Sequence, residues 1–394
     1  MRIGIDATCW WSRRGFGRFT RGILNAMFDS AADHEFVLFM DRPPEEEMIK
    51  PGVSHVLVDV SKTVTESAVA GGSRSLRDIY RFKKAVSDQS LDIMFFPAVY
   101  SWFPVQRGLP VVVTLHDAIA ERFPDLVFPD RKGRLLWGLK MRLACWQASR
   151  FITVSDAAKQ EITEYLRLKP QDIDVVSEAA DLIFKVQDNP EDSIHVRQQL
   201  DLPQQGRLVV YVGGLAPHKN IAGFLQAFGQ AVCRSGAEDL HMVLIGDVDG
   251  DGFHSHYQEL LSLVNAKPEL AGRVHFTGYL SDADLVHLLA GSLALCLPSF
   301  SEGFGLPAIE AMACGVPVLA SKAGSLPEVV GDAGILFDPH SIADMTQAIE
   351  TMATNVEALA SLKRAALQRS ALFTWEAGAS KVLLSLESVL AGRR

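Results

Sequence analysis

Thirteen short apolar runs, separated by stretches of helical periodicity, constrain this 394-residue chain more than any other feature. Such alternation builds parallel sheets covered by helices on both faces, because a strand buried on both sides is apolar throughout rather than at every second position. The runs fall into two series. The first comprises Ile3 to Ala7, Phe36 to Met40, Val56 to Val60, Ile93 to Phe96, Val111 to Leu115, Phe151 to Val154 and Val175 to Val176. The second comprises Val209 to Val212, Met242 to Ile245, Val274 to Phe276, Leu293 to Leu297, Val316 to Ala320 and Ile335 to Phe337. Between them, Phe184 to Arg207 carries KVQDNPEDS and LPQQGR, polar enough for a linker with one short helix. The expected fold class is therefore α/β, with two Rossmann-like, doubly wound parallel-sheet domains facing a cleft and a boundary near Phe184. In open sheets of this kind ligands bind beyond the carboxyl ends of the strands.

Length and composition agree with two domains, since 394 residues exceed what one core usually supports and 48% apolar content fills two. The net charge of −9 argues against nucleic acid as a partner. Five widely spaced cysteines, Cys9, Cys145, Cys233, Cys296 and Cys314, read as reduced core residues of a cytoplasmic protein. No Cys/His cluster has zinc spacing. The start MRIGIDATCWW lacks an extended apolar segment behind a basic one, and no uncharged run reaches the roughly 18 residues of a membrane span. Neither export nor a membrane span is expected.

The stretch PSFSEGFGLPAIEAMACGVPVL, Pro298 to Leu319, carries the most chemistry. It follows a strand-like run with a glycine-punctuated loop and then a helix opened by Pro307. A helix start attracts phosphate through its unpaired N–H groups and dipole. Glu302 in the loop and Glu310 in the helix suit sugar and ribose hydroxyls, since an ionised carboxylate accepts from two O–H donors.

Glu302 and Glu310, spaced Glu-x7-Glu with GFGLP between them, resemble the signature of family 4 retaining glycosyltransferases. GFGRFTRGIL (Gly15 to Leu24), TLHDAIAERFP (Thr114 to Pro124), VSDAAKQEI (Val154 to Ile162) and YVGGLAPHKN (Tyr211 to Asn220) follow in the order that family shows, so the resemblance covers nearly the whole chain. It implies the GT-B arrangement: an acceptor-binding domain over 1–183, a nucleotide-sugar-binding domain over 184–374 with 184–206 as linker, and a last helix, 375–394, returning toward the first. It also implies transfer of a hexose from a nucleoside diphosphate to a hydroxyl of a glycan or lipid-linked acceptor, with anomeric configuration kept. The nucleotide-sugar is a co-substrate, and no cofactor or metal is expected.

The same resemblance distributes roles. His116, Lys219 and Glu302 are the catalytic candidates. Gly15 and Gly17 open a loop whose N–H groups close over the donor diphosphate, with Arg18 and Arg21 near enough to add charge. Gly214, Lys219, Ser299, Glu302 and Gly303 are expected donor contacts, as are Phe304, Gly305, Leu306 and Glu310. Asp117 and Asp181 are secondary candidates. Gly214 departs from the family pattern, in which an arginine follows the first glycine and supplies a second cation. In VVSEAAD, Ala179 and Ala180 stand where asparagine and glycine are often found.

Each motif also has a plainer reading. A lone lysine such as Lys219 reads equally as solvated, and His116 at a strand end as structural. GFGRFT with Asp41 imitates a dinucleotide fingerprint, but Thr20 stands where the third glycine belongs. DVDGDG, Asp247 to Gly252, imitates a calcium loop, yet the twelfth position falls on Gln258 rather than a glutamate. In PDRKGRLLWGLKMRLACWQASR the stripe Leu135, Leu136, Leu139, Leu143 and Trp146 is ringed by Arg131, Lys132, Arg134, Lys140 and Arg142. That stripe is expected to pack on the first sheet; the other reading is peripheral contact of 130–150 with an anionic membrane at its inner face.

No side-chain nucleophile is assigned, because the sequence offers no second carboxylate with a defined place at the reacting carbon. Front-face attack assisted by the leaving phosphate is the more economical scheme. The donor leans toward GDP-mannose, because GFGRFT and TLHDAIAERFP look closest to bacterial polysaccharide mannosyltransferases. A sugar-nucleotide epimerase and a non-catalytic nucleotide-sugar-binding module are the competing classes.

Overall fold

The protein is described by a computed structural model over residues 1–30, 33–61, 63, 75–128, 130–234, 237–247 and 256–392. It comprises two compact units, Met1–Glu178 with Thr374–Arg394, and Ala179–Phe373. The first is built on a parallel sheet of β1 (Arg2–Asp6), β2 (Glu35–Met40), β3 (Val53–Leu57), β4 (Ile93–Phe96), β5 (Val111–Thr114), β6 (Arg150–Thr153) and β7 (Ile173–Val175), in the order β3-β2-β1-β4-β5-β6-β7. The second uses β8 (Arg207–Val212), β9 (Leu240–Ile245), β10 (Val274–Gly278), β11 (Ala294–Leu297), β12 (Val318–Ser321) and β13 (Gly334–Phe337), in the order β10-β9-β8-β11-β12-β13. Each sheet thus reverses direction once, between β1 and β4 and between β8 and β11. Those two reversals are the switch points at which an open α/β sheet leaves a crevice beyond its strand ends.

All thirteen apolar runs form strands. The largest displacement is at Val56 to Val60, where the strand is Val53–Leu57. As an edge strand pairing only with β2, it tolerates Ser54 and His55 and loses the continuous apolar signal. Central strands such as β4, β5, β11 and β12 are buried at every position. In the first unit the Phe103 ring lies tilted 4.9 Å from Phe82 and edge-on 5.1 Å from Phe96, each ring contributing about 2–3 kcal/mol by burial. The helix Trp375–Ala391 packs on the helix Gly15–Ser30 so closely that a Cβ on Gly22 would lie 2.3 Å from the Trp375 ring.

Two expectations are corrected here. The apolar stripe of the helix Arg131–Gln147 does not pack on the sheet: Leu135, Leu139 and Trp146 are 74%, 54% and 73% exposed, and Leu136 and Leu143 are exposed too. The buried face instead carries Gly133, Met141 and Ala144, with Trp137 beside them against Tyr100 at 5.4 Å. The helix bears two stripes with the same spacing, offset by two residues. Trp137 selects the inner one because its ring is packed and its Nε1 donates to Glu121 Oε1 at 2.7 Å. Among the cysteines, Cys9, Cys296 and Cys314 are buried, Cys145 is partly so, and Cys233 at a helix end is exposed; all five are free thiols. Among the described residues no helix is long and apolar enough to cross a membrane.

Candidate active site

β8 and β11 are neighbours in the second sheet, and the segments leaving their carboxyl ends are stitched together. After β8 the chain makes one turn of 3-10 helix, Pro217–Lys219, and passes through Asn220 in the left-handed region at φ 54°. Asn220 Nδ2 donates to the carbonyl of Pro298 at 3.1 Å and of Pro339 at 2.8 Å, while the carbonyl of His218 accepts from the N–H of Phe300 at 2.9 Å. One bond on each side of Lys219 therefore grips one residue on each side of Ser299. Held so, Lys219 Nζ lies 2.8 Å from both carboxylate oxygens of Glu302, and Ser299 Oγ donates to Glu302 Oε1 at 2.6 Å.

The Glu302 loop is pinned from the other side by the turn after β12. Ser321 Oγ donates to the Ser299 carbonyl at 2.6 Å, and Ser325 Oγ to the Phe304 carbonyl at 2.7 Å. The Ser325 N–H donates to the Glu302 carbonyl at 3.2 Å. Gly324, at φ 58°, passes so near that a Cβ would sit 2.6 Å from the Glu302 nitrogen. Ser321, Gly324 and Ser325 escaped the sequence reading; their only signal is SKAGS, a run of small residues directly after a strand. Ser299, Gly303, Phe304, Gly305 and Leu306 are all buried, and Gly305 at φ 96° caps the helix Leu306–Ala313.

Burial works against a charged Glu302, but the Lys219 ammonium, the Lys219 and Ser299 hydrogen bonds and weaker help from His218 overcome it, so the carboxyl is held below the ordinary glutamate range. Glu302 in turn, after burial itself, raises the Tyr211 phenol, whose O–H donates to the Gly214 carbonyl at 2.7 Å. Glu310 is 2% exposed, one turn into the helix Leu306–Ala313. Burial and then the Glu310 charge push the thiol of Cys314, four residues on, up to about 12. Gly214 is exposed, and a Cβ there would meet no atom within 4 Å, so the absence of a side chain is not imposed by packing.

The switch point of the first unit holds a second cluster. Gly15 and Gly17 lie inside the first turn of the helix Gly15–Ser30 rather than in the preceding loop, and the Gly17 N–H already donates to the Arg14 carbonyl at 2.9 Å. Gly17 is required by contact, since a Cβ would fall 2.0 Å from the Ser12 carbonyl oxygen. Arg21 donates to the carbonyls of Trp10 and Ser12 and so shapes its own loop; Arg18 is partly buried on the same helix. Phe16 stacks on Tyr100 beyond β4 at 4.8 Å.

His116, beyond β5, is engaged at both ring nitrogens: Nε2 is 3.1 Å from the Pro97 carbonyl and Nδ1 3.4 Å from Glu178 Oε1, with the Phe19 ring edge-on at 4.9 Å. A carbonyl only accepts, so Nε2 carries a proton. Glu178 is 4% exposed and gave no sequence signal. Asp117 Oδ1 accepts from the Ile119 N–H at 2.9 Å, and Asp181, exposed in the second unit, accepts from the Ile183 N–H at 3.1 Å; each forms a local Asx turn.

Among the described residues no cluster of three or more His, Cys, Asp or Glu has the geometry to hold a metal ion. Of the calcium-like stretch only Asp247 lies within the described residues; 248–252 lie outside them.

Glu302→Gln removes the counter-charge of a cation that is itself only 20% exposed. The expected loss in unfolding free energy is about 2 kcal/mol, below the range for a fully enclosed pair. Because the folded-state value of Glu302 is depressed, the pair's contribution is complete above the ordinary value of 4.5 and is lost as pH falls through the lowered one. In urea titrations the gap between wild type and Glu302→Gln should stay level from about pH 8 to about pH 5 and narrow only below that. A gap that closes near pH 6 contradicts the pairing.

The matches with known proteins agree with this geometry. Residues 14–183 match the model described as Glycosyltransferase Family 4, and residues 192–369 the model described as Glycosyl transferases group 1. O-antigen chain mannosyltransferase B of Escherichia coli is 34% identical over 59% of this chain and 58% of its own length. The serotype-specific mannosyltransferase WbdA of Escherichia coli is 25% identical over 95% of this chain and 46% of its own length. The chain thus spans about half the length of these curated relatives. Among solved structures, Anabaena HepE in complex with UDP and glucose superposes with a TM-score of 0.72 at 20% identity, covering 98% of this chain and 99% of that one, a likeness of fold. With both halves matched and the paired α/β sheets of the GT-B class in place, the chain belongs to the family 4 glycosyltransferases.

Proposed function

We propose that the chain is a retaining hexosyltransferase that moves a hexose, mannose before others, from a nucleoside diphosphate to a hydroxyl of a glycan or lipid-linked acceptor. The observation that carries this reading is the Lys219–Glu302 pair at the β8/β11 switch point. An ammonium has three N–H donors, and Glu302 engages two, which leaves one for a phosphate oxygen of the leaving diphosphate. Glu302 anchors the transferred sugar through its hydroxyls, and Glu310 the ribose. Positive potential fixed before the reaction stabilises the departing charge, the kind of contribution that commonly dominates catalysis. The mannosyl preference and the glycan acceptor are supported by the names of the two Escherichia coli relatives; HepE, more distant in sequence, holds UDP and glucose.

With purified protein, GDP-mannose and UDP-glucose should be compared with and without candidate acceptors. Glu302→Gln is expected to reduce transfer by about a hundredfold or more. Epimerised sugar nucleotide formed without acceptor would favour the epimerase reading, and calorimetric binding without turnover the non-catalytic one.

The outer stripe of the helix Arg131–Gln147 supports a peripheral location at the inner face of a membrane, where a lipid-linked acceptor would lie. Leu135, Leu139, Leu143 and Trp146 are exposed beside Arg131, Lys132, Arg134 and Arg142, and the helix holds no acidic residue. Each basic side chain near an anionic surface contributes about 1 kcal/mol, enough in sum to complement the apolar stripe. Sedimentation with vesicles rich in anionic lipid should retain the wild type and lose a Leu139→Glu, Trp146→Glu variant. Equal retention of both, or retention on neutral vesicles alone, contradicts this surface.

A further inference from the structure

His218 precedes Lys219 in the turn after β8, and its imidazole takes no part in the hydrogen bonds that hold Lys219 against Glu302. Its Nδ1 is enclosed and has no hydrogen-bond partner among the described residues, while the residue as a whole is only partly buried. The charged groups acting on the ring are the Lys219 ammonium from its own turn and the Glu302 carboxylate from the loop after β11. Burial, reinforced by Lys219 and only partly opposed by Glu302, pushes the ring down to about 3, so it carries no charge near neutrality. A neutral imidazole has one proton to place. Orphaned buried N–H groups are rarer than under-satisfied acceptors, and a proton on Nδ1 would be an unmatched donor in a dry position. The proton therefore belongs on Nε2.

We infer that His218 is a further donor-binding residue, whose imidazole offers Nε2–H to a phosphate oxygen of a nucleoside diphosphate beside Lys219. The inference rests on the reading of the Lys219–Glu302 site given above. It also gives the open position at Gly214 a chemical meaning. One fixed cation, its charge already shared with Glu302, is supplemented by an uncharged donor, so the site gains a hydrogen bond to the anion without a second positive charge to keep desolvated.

Calorimetric titration of GDP and UDP into the full chain tests this, in two buffers of different ionisation enthalpy. His218→Gln, whose amide places an N–H where Nε2–H stood, should bind the preferred diphosphate within about threefold of wild type. His218→Phe and His218→Leu, donor-less and of different shape, should each bind about tenfold or more weakly. Proton uptake on binding should be the same in wild type and His218→Gln. Wild-type affinity in either donor-less variant overturns the inference, and so does uptake that disappears with His218, because the ring would then be binding as imidazolium. If the wild type binds neither diphosphate, the reading of the site fails and carries this inference with it; binding that is indifferent to position 218 removes His218 alone.

Discussion

A lysine and a glutamate separated by 83 residues meet at the centre of the second sheet, and the organisation of that unit follows from keeping them together. Neither charge survives partial burial alone, since removing an ion from water costs several kcal/mol unless a counter-charge and hydrogen bonds replace the solvent. Ser299 supplies the extra bond to Glu302. Asn220 and the His218 carbonyl fix the separation of the two backbones, and Ser321, Gly324 and Ser325 close the loop from behind. Lys219 is thereby held in place before any ligand arrives, which is the condition for electrostatic stabilisation without reorganisation.

The placement of that pair is a consequence of topology rather than of local sequence. Parallel sheets need crossovers, and a sheet that grows first one way and then the other must part its crossovers at one point. In the second unit that point lies between β8 and β11, and in the first between β1 and β4. The first unit spends its switch point differently. Its glycines serve close packing and helix initiation, and its histidine is tied at both nitrogens, to a carbonyl and to Glu178. The cluster there is held by contacts of the His116 ring with the Pro97 carbonyl and Glu178.

Much of this was legible in the sequence, for reasons that can be named. Strands buried on both faces are apolar throughout, so the runs could be read directly; β3 was displaced because an edge strand is buried on fewer sides. Lys219, Glu302 and the glycine-rich loop were recognisable by motif, but the ion pair was not, because it depends on β8 and β11 being neighbours. Glu178, Ser321 and Ser325 act through a single carboxylate or hydroxyl placed by the fold, which leaves no periodic or spacing signal. The helix Arg131–Gln147 misled for a different reason. Periodicity reveals stripes but not which of two faces the core, and that choice was made by Trp137 through partners on other elements.

The most direct test of the central claim is a crystal structure of the protein with a nucleoside diphosphate bound. A phosphate oxygen is expected within hydrogen-bond distance of Lys219 Nζ, with Glu302 retained against the same ammonium. Diphosphate density away from the ends of β8 and β11, with the Lys219–Glu302 contact untouched, would contradict it.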